Sequence, residues 1–261
     1  MYHREFEPLE QLKDFIKCFW YDSRDFGMSE TNFEVVPDGF AEIIFHFGNG
    51  CGILQHEVSI PMPSPFLIGL LNQPLVFQSS GRLEIIGIRC FPWTVFDLLG
   101  LPSGKDGVRT FEHLLARLHN SLDALVKAVK IDEAISEVQQ YFVNVAPYPA
   151  ADSLLFKAGA AMRGANGTLS VSKVAEAAYA TVRTLERNFK QSSGYTVKDV
   201  SNLIRFEQVR NNLLLNPNIN LAGLAHELGY ADQAHLTKEF KRYSGKTPAS
   251  FAREAKKEDK Y

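Results

Sequence analysis

LAGLAHELGYADQAHLTKEFKRYSGKTPASF, residues 221–251, consists of two amphipathic segments hinged on a glycine. Leu221, Leu224, Ala225 and Leu228 recur at i, i+3, i+4 and i+7, the spacing that gathers side chains into one stripe of a helix. Gly229 follows, a residue free to turn the chain sharply. Asp232 is placed to cap a second helix. On that helix Leu236 and Phe240 point inward one turn apart, while Ala234, Thr237, Lys238 and Lys241 share the opposite side. A small helix, a corner and a second helix with a polar, cationic outer face form a helix-turn-helix suited to a DNA groove.

The same signature occurs upstream in register. Leu185, Phe189, Gly194 and Thr196 repeat the spacing of Leu236, Phe240, Gly245 and Thr247, so both copies read Leu-x3-Phe-x4-Gly-x-Thr. Val174, Ala175 and Ala178 repeat the stripe of Leu224, Ala225 and Leu228. The first turn is one residue shorter, since Ala175 to Leu185 is 10 residues and Ala225 to Leu236 is 11. Between the copies, Lys198 to Leu215 has no Pro or Gly and places Val200, Ile204, Val209 and Leu213 at helical intervals, which predicts a rigid connecting helix ending before Pro217.

Charge divides the chain at the same place. Residues 151–261 contain 17 Lys and Arg against 11 Asp and Glu, whereas residues 1–150 contain 11 against 19, so a +6 half is hidden within a net charge of −2. Basic charge supplies sequence-independent affinity for a polyanion, and side chains that reach base edges supply discrimination.

Residues 168–255 resemble the DNA-binding domain of AraC/XylS-type transcription regulators, most closely over Gly229 to Pro248. The resemblance implies two helix-turn-helix units joined by a long helix and set into successive major-groove segments. Carried over by position, the first recognition helix would present Arg183, Glu186 and Arg187, and the second Gln233, Ala234, His235 and Lys238. Arg suits guanine, Gln suits adenine, and Glu accepts from cytosine. Lys241 and Arg242, further along the helix, suit phosphates, and Lys190 suits either DNA or an i, i+4 pair with Glu186. The first copy departs from the family pattern at Thr181, where Ser is usual, at Val197, where the second copy keeps Pro248, and at Tyr179-Ala180, where a Gly is common.

The front half is of another kind, and the expected fold class is α+β. A domain of residues 1–148 is expected, then one of 149–261, with the boundary near Pro147-Tyr148-Pro149. Pro37-Asp38-Gly39 signals a turn into a strand over Ala41 to Phe47, followed by strands over Phe66 to Leu71, Leu75 to Phe77 and Leu83 to Cys90. These predict a small antiparallel β-barrel or sandwich, loosely similar to the cupin-like domains of the same regulators. Helices are expected over Thr94 to Leu99, Phe111 to Leu118, Leu122 to Val129 and Ile131 to Val143, packed on the strands. The family resemblance implies a receptor or dimerisation unit, for which Phe45, His46, Phe47, Arg89 and Trp93 are the candidate pocket residues, with simple core packing as the alternative.

No metal or cofactor is expected, because the histidines lack ligand spacing. Cys18, Cys51 and Cys90 lack any CxxC pairing and suit buried thiols in a cytoplasmic protein. Neither a signal-peptide core nor a membrane span is evident. The expected partners are double-stranded DNA, a small-molecule effector, a second copy of the chain and, for an activator, RNA polymerase. Two other classes stay open: a DNA-binding protein whose front half is an enzyme, such as a methyl acceptor with an activated cysteine, and one whose front half only binds protein.

Overall fold

Alternating apolar residues in the first third of the chain build two antiparallel sheets in the computed structural model, which describes residues 2–99, 107–145 and 153–258. The strands are β1 (Tyr2–Phe6), β2 (Ile16–Asp25), β3 (Thr31–Val35), β4 (Ala41–Gly48), β5 (Gly52–Gln55), β6 (Val58–Pro61), β7 (Phe66–Ile68), β8 (Leu75–Ser79), β9 (Arg82–Cys90) and β10 (Val108–Thr110). One sheet runs β1-β2-β9-β4-β7-β10 and the other β3-β8-β5-β6. The expected barrel does not close: among the described residues no strand belongs to both sheets, so the sandwich alternative describes the architecture.

Period-two alternation sends the two faces of the large sheet into different cores. Ile43 and Phe45 of β4 and Ile86 and Ile88 of β9 pack against Leu122, Val126, Ile135, Val138 and Phe142. Those five come from α2 (His119–Lys127) and α3 (Ile131–Val145), which cover that side of the sheet as expected. On the other face Trp20, Ile44 and Ile85 meet Ile53 and Phe77 of the smaller sheet. Each such fully buried side chain stabilises the fold by about 1.5–3 kcal/mol. β2 escapes a search for alternation because it is covered on both sides and reads as an almost continuous buried run from Cys18 to Asp22.

After the short α1 (Val95–Leu99), α2 and α3, the C-terminal half is helical: α4 (Leu154–Gly164), α5 (Val171–Ala177), α6 (Val182–Ser193), α7 (Val197–Leu215), α8 (Leu221–Glu227), α9 (Gln233–Ser244) and α10 (Pro248–Glu258). The connecting helix is α7, whose 19 residues span roughly 28 Å at 1.5 Å per residue. Thr196 opens it with a capping box, its side chain accepting from the Asp199 N–H while the Asp199 carboxylate accepts from the Thr196 N–H. The boundary expected at Pro147–Pro149 lies outside the described residues.

The two halves share a core. Leu70 and Trp93 are buried together with Ala158, Met162, Leu185, Phe189 and Leu203 of the helical half. Gly159 of α4 makes room for this, since a Cβ there would overlap the Trp93 indole. Tyr195 donates its hydroxyl to the Leu70 carbonyl at 2.7 Å.

Candidate nucleic-acid interface

The two corners are built alike. Each second helix has a side-chain N-cap: Thr181 accepts from the Thr184 N–H, and Asp232 from the His235 N–H at 2.7 Å. Each ends at a glycine in the left-handed region, Gly194 at φ 77° and Gly245 at φ 72°, whose N–H returns to the carbonyl of Lys190 or Lys241. Thr196 and Thr247, two residues further on, both accept from the backbone three residues ahead and so start α7 and α10. The repeated Leu, Phe, Gly and Thr are thus two buried anchors, a stop and a restart.

The first helices end alike as well. The Tyr179 and Gly229 N–H groups return to Glu176 and His226, and the Ala180 and Tyr230 N–H groups to Ala175 and Ala225. The corner requires a left-handed residue, and the copies meet that need differently: Gly229 has φ 70°, while Tyr179 has φ 53°. A side chain in that region costs about 1–2 kcal/mol.

With Leu185 and Phe189 buried beneath α6, and Leu236 and Phe240 beneath α9, the outer faces are fixed. Arg183, Arg187 and Lys190 are exposed on α6, and Gln233, Ala234, His235, Lys238, Lys241 and Arg242 on α9. Arg183, Glu186, Arg187, Lys190 and Gln191 line one open cleft along α6. The Glu186 carboxylate faces the start of α7 and accepts from the Val197 N–H at 3.4 Å. His235 is oriented by its own corner: Nδ1 accepts from the Ala231 N–H at 3.4 Å, and the ring meets Tyr230 edge-on. α7 braces the second unit. Phe206 packs on Phe240 and Tyr243, and Arg205 donates to the Gly229 carbonyl at 3.3 Å.

Sequence reading gave no sign of what braces the first unit. Trp93 stacks on Phe91 and tilts against Phe189 of α6. Arg163 of α4 lies over Phe40, Phe91 and Trp93, with its guanidinium 3.7 Å from Glu207 of α7. Burial lowers the Arg163 pKa from its ordinary value, against the opposing pull of Glu207 and Asp38, and burial raises that of Glu207. Asp38 also lies 3.4 Å from Arg89, whose Nε donates to Glu42 at 2.8 Å. A chain of charged groups therefore runs from the interior of the sandwich to the connecting helix.

The five candidate pocket residues do not converge. Phe45 and Phe47 belong to the core under α2 and α3, because odd positions of β4 face the helices. His46 turns the other way and bonds through Nε2 to the Met62 carbonyl at 3.0 Å. Trp93 is in the core shared by the two halves. Arg89 alone of the five lines the cavity between the sheets. The three cysteines are free and buried, and burial pushes the Cys18 thiol to about 11, Cys51 to about 12 and Cys90 further up. Thiols held protonated in this way make poor nucleophiles. Among the described residues no group of His, Cys, Asp and Glu could hold a metal, and no helix is long and apolar enough to cross a membrane.

Residues 174–254 match a helix-turn-helix domain family. Residues 4–105 match a domain family of unknown function, DUF6597. Among curated relatives, the Msm operon regulatory protein of Streptococcus mutans is 28% identical over 87 residues, 33% of this chain; the chain covers 31% of that relative's length. Solved structures include ToxT from Vibrio cholerae, 12% identical with TM-score 0.45, over 90% of this chain and 97% of ToxT. An AraC-type regulator from Chromobacterium violaceum is 20% identical with TM-score 0.37, over 39% of this chain and 91% of its own.

Proposed function

We propose that the chain is a sequence-specific DNA-binding transcription regulator that sets α6 and α9 into successive segments of major groove, with residues 1–148 as the unit that receives an effector or partner and residues 149–261 as the DNA-binding domain. The observation that carries the reading is the matched pair of corners, equal in caps, anchors and stops, each exposing a cationic helix face and tied together by one stiff helix. Arg183 and Arg187 on α6, and Gln233, Ala234, His235 and Lys238 on α9, are assigned to base edges. Lys190, Lys241 and Arg242 are assigned to phosphates. Glu186, already engaged with the start of α7, is assigned to positioning α6 rather than to reading cytosine. Cytoplasmic residence and pairing with a second copy or with RNA polymerase belong to the same proposal.

Selection of bound fragments from a random duplex pool by the full chain tests it. Two short boxes separated by about one helical turn of 10–10.5 base pairs are expected, with affinity that falls steeply as salt rises. A pool that yields no enriched sequence would remove the reading.

A further inference from the structure

Between the two sheets lies a cavity of about 230 Å³, walled by Trp20, Ile44, Phe66, Ile68, Phe77 and Ile85, slightly below the roughly 300–1,000 Å³ usual for small-ligand pockets. Its lining also includes His3, which is half-exposed, and Arg24. Asp22 belongs to the same lining, and its position follows from β2: Trp20, Asp22 and Arg24 alternate onto the face opposite the helices. Asp22 is only 2% exposed. Its Oδ2 accepts from Arg24 Nε at 2.6 Å, whereas Oδ1 is buried and has no hydrogen-bond partner among the described residues. A desolvated carboxylate oxygen without a donor is unfavourable, and a ligand N–H placed there would relieve it.

The other charged groups of the lining indicate the sign of the ligand. Arg24 is held by Asp22, and Arg89 by Glu42 and Asp38, so both guanidiniums already have carboxylate partners. An anion would have to displace one of these carboxylates and would meet the bare Asp22 oxygen. A cation meets an unused acceptor, among Trp20, Phe33 and Phe77, whose ring faces attract positive charge.

We infer that this cavity is the binding site of a small aromatic amine, whose ammonium donates to Asp22 Oδ1 while its apolar body lies against Trp20 and Phe77. The inference rests on the reading of the front half as an effector-binding unit and names that effector's chemistry. The chain's two tryptophans allow a direct test. In full-length Trp93→Phe protein only Trp20 emits, and titration with benzylamine, phenethylamine and tryptamine, the last corrected for its own emission, follows occupancy of the cavity. At least one amine should bind saturably, with its matched arylalkanoic acid and the Asp22→Asn variant each weaker by about tenfold or more. An acid that binds as well as its amine, an Asn variant unchanged in affinity, or no response to any amine at millimolar concentration would overturn the assignment. If Asp22→Asn fails to fold, the amine-against-acid comparison on the Trp93→Phe chain decides alone. DNA binding measured on the same samples separates the two readings. Protein that selects DNA but ignores amines retires only the ligand, and protein that binds an amine but no DNA retires only the regulator.

Discussion

The first helix-turn-helix unit leans on the sheet domain, while the second leans on the helix that joins them. Beneath α6, Phe189 reaches Trp93 of the front half; beneath α9, Phe240 reaches Phe206 of α7. The front half approaches the second unit at Pro74, which lies near Gly245. Two copies with the same caps and anchors are therefore unequal in what holds them. The first is anchored in the core that holds Trp93 of the front half, and the second rests chiefly on the rod.

The largest effect should come from the paired aromatic deletions. Phe189→Ala and Phe240→Ala should each cost about 3–5 kcal/mol in chemical denaturation, the first by stripping the contact with Trp93 and the second by stripping those with Phe206 and Phe251. A double-mutant cycle of Phe189→Ala with Trp93→Ala that shows no coupling would mean that the front half contributes nothing to the first unit through this contact. Next, Gly159→Ala forces a methyl group against the Trp93 indole. Overpacking of this kind costs about 1–3 kcal/mol, and Trp93 emission should move to the red while Trp20 stays unchanged. On DNA, Arg187→Ala and Lys238→Ala should each weaken a specific site by about 1–3 kcal/mol if they read bases, and a loss equal on all sequences would assign them to phosphates. A loss in the Arg187 variant that depends on ligand occupancy, with none in the Lys238 variant, would sharpen the contrast between the units. Smallest is the corner residue itself. Gly229→Ala should lower stability by about 1 kcal/mol, and Tyr179→Gly should raise it by less than about 1 kcal/mol, since glycine also loosens the unfolded chain.

Much of the helical half was legible because its signals are local. A helix stripe, a cap and a left-handed stop all lie within a dozen residues, and repetition confirmed each of them. Even the Tyr179-Ala180 departure was visible in the sequence, though that Tyr179 itself adopts the glycine's backbone region was not. The sheets were harder to read. β4, β7, β8 and β9 were marked by turns and apolar runs, but β2 and β3 take their place from partners forty or more residues away, such as Trp20 opposite Gly87 and Phe33 opposite Phe77, and β1 takes its place from β2. For the same reason Phe45, His46 and Phe47, neighbours in sequence, do not share a pocket, since a strand sends successive side chains to opposite sides. Asp22 carried a signal that could have been used, an acidic residue two places after a tryptophan in an otherwise apolar run. Nothing in the sequence reveals the junction of Trp93 with Gly159, because it joins residues that share no local pattern.

Arg163 gives the meeting of the two halves an unusual character. Three rings surround its guanidinium, yet Nε and Nη2 find no acceptor among the described residues. Parting the halves would expose aromatic surface, which opposes the motion, and would return an under-solvated cation to water, which favours it. The junction is thus held less firmly than its ring contacts alone would suggest.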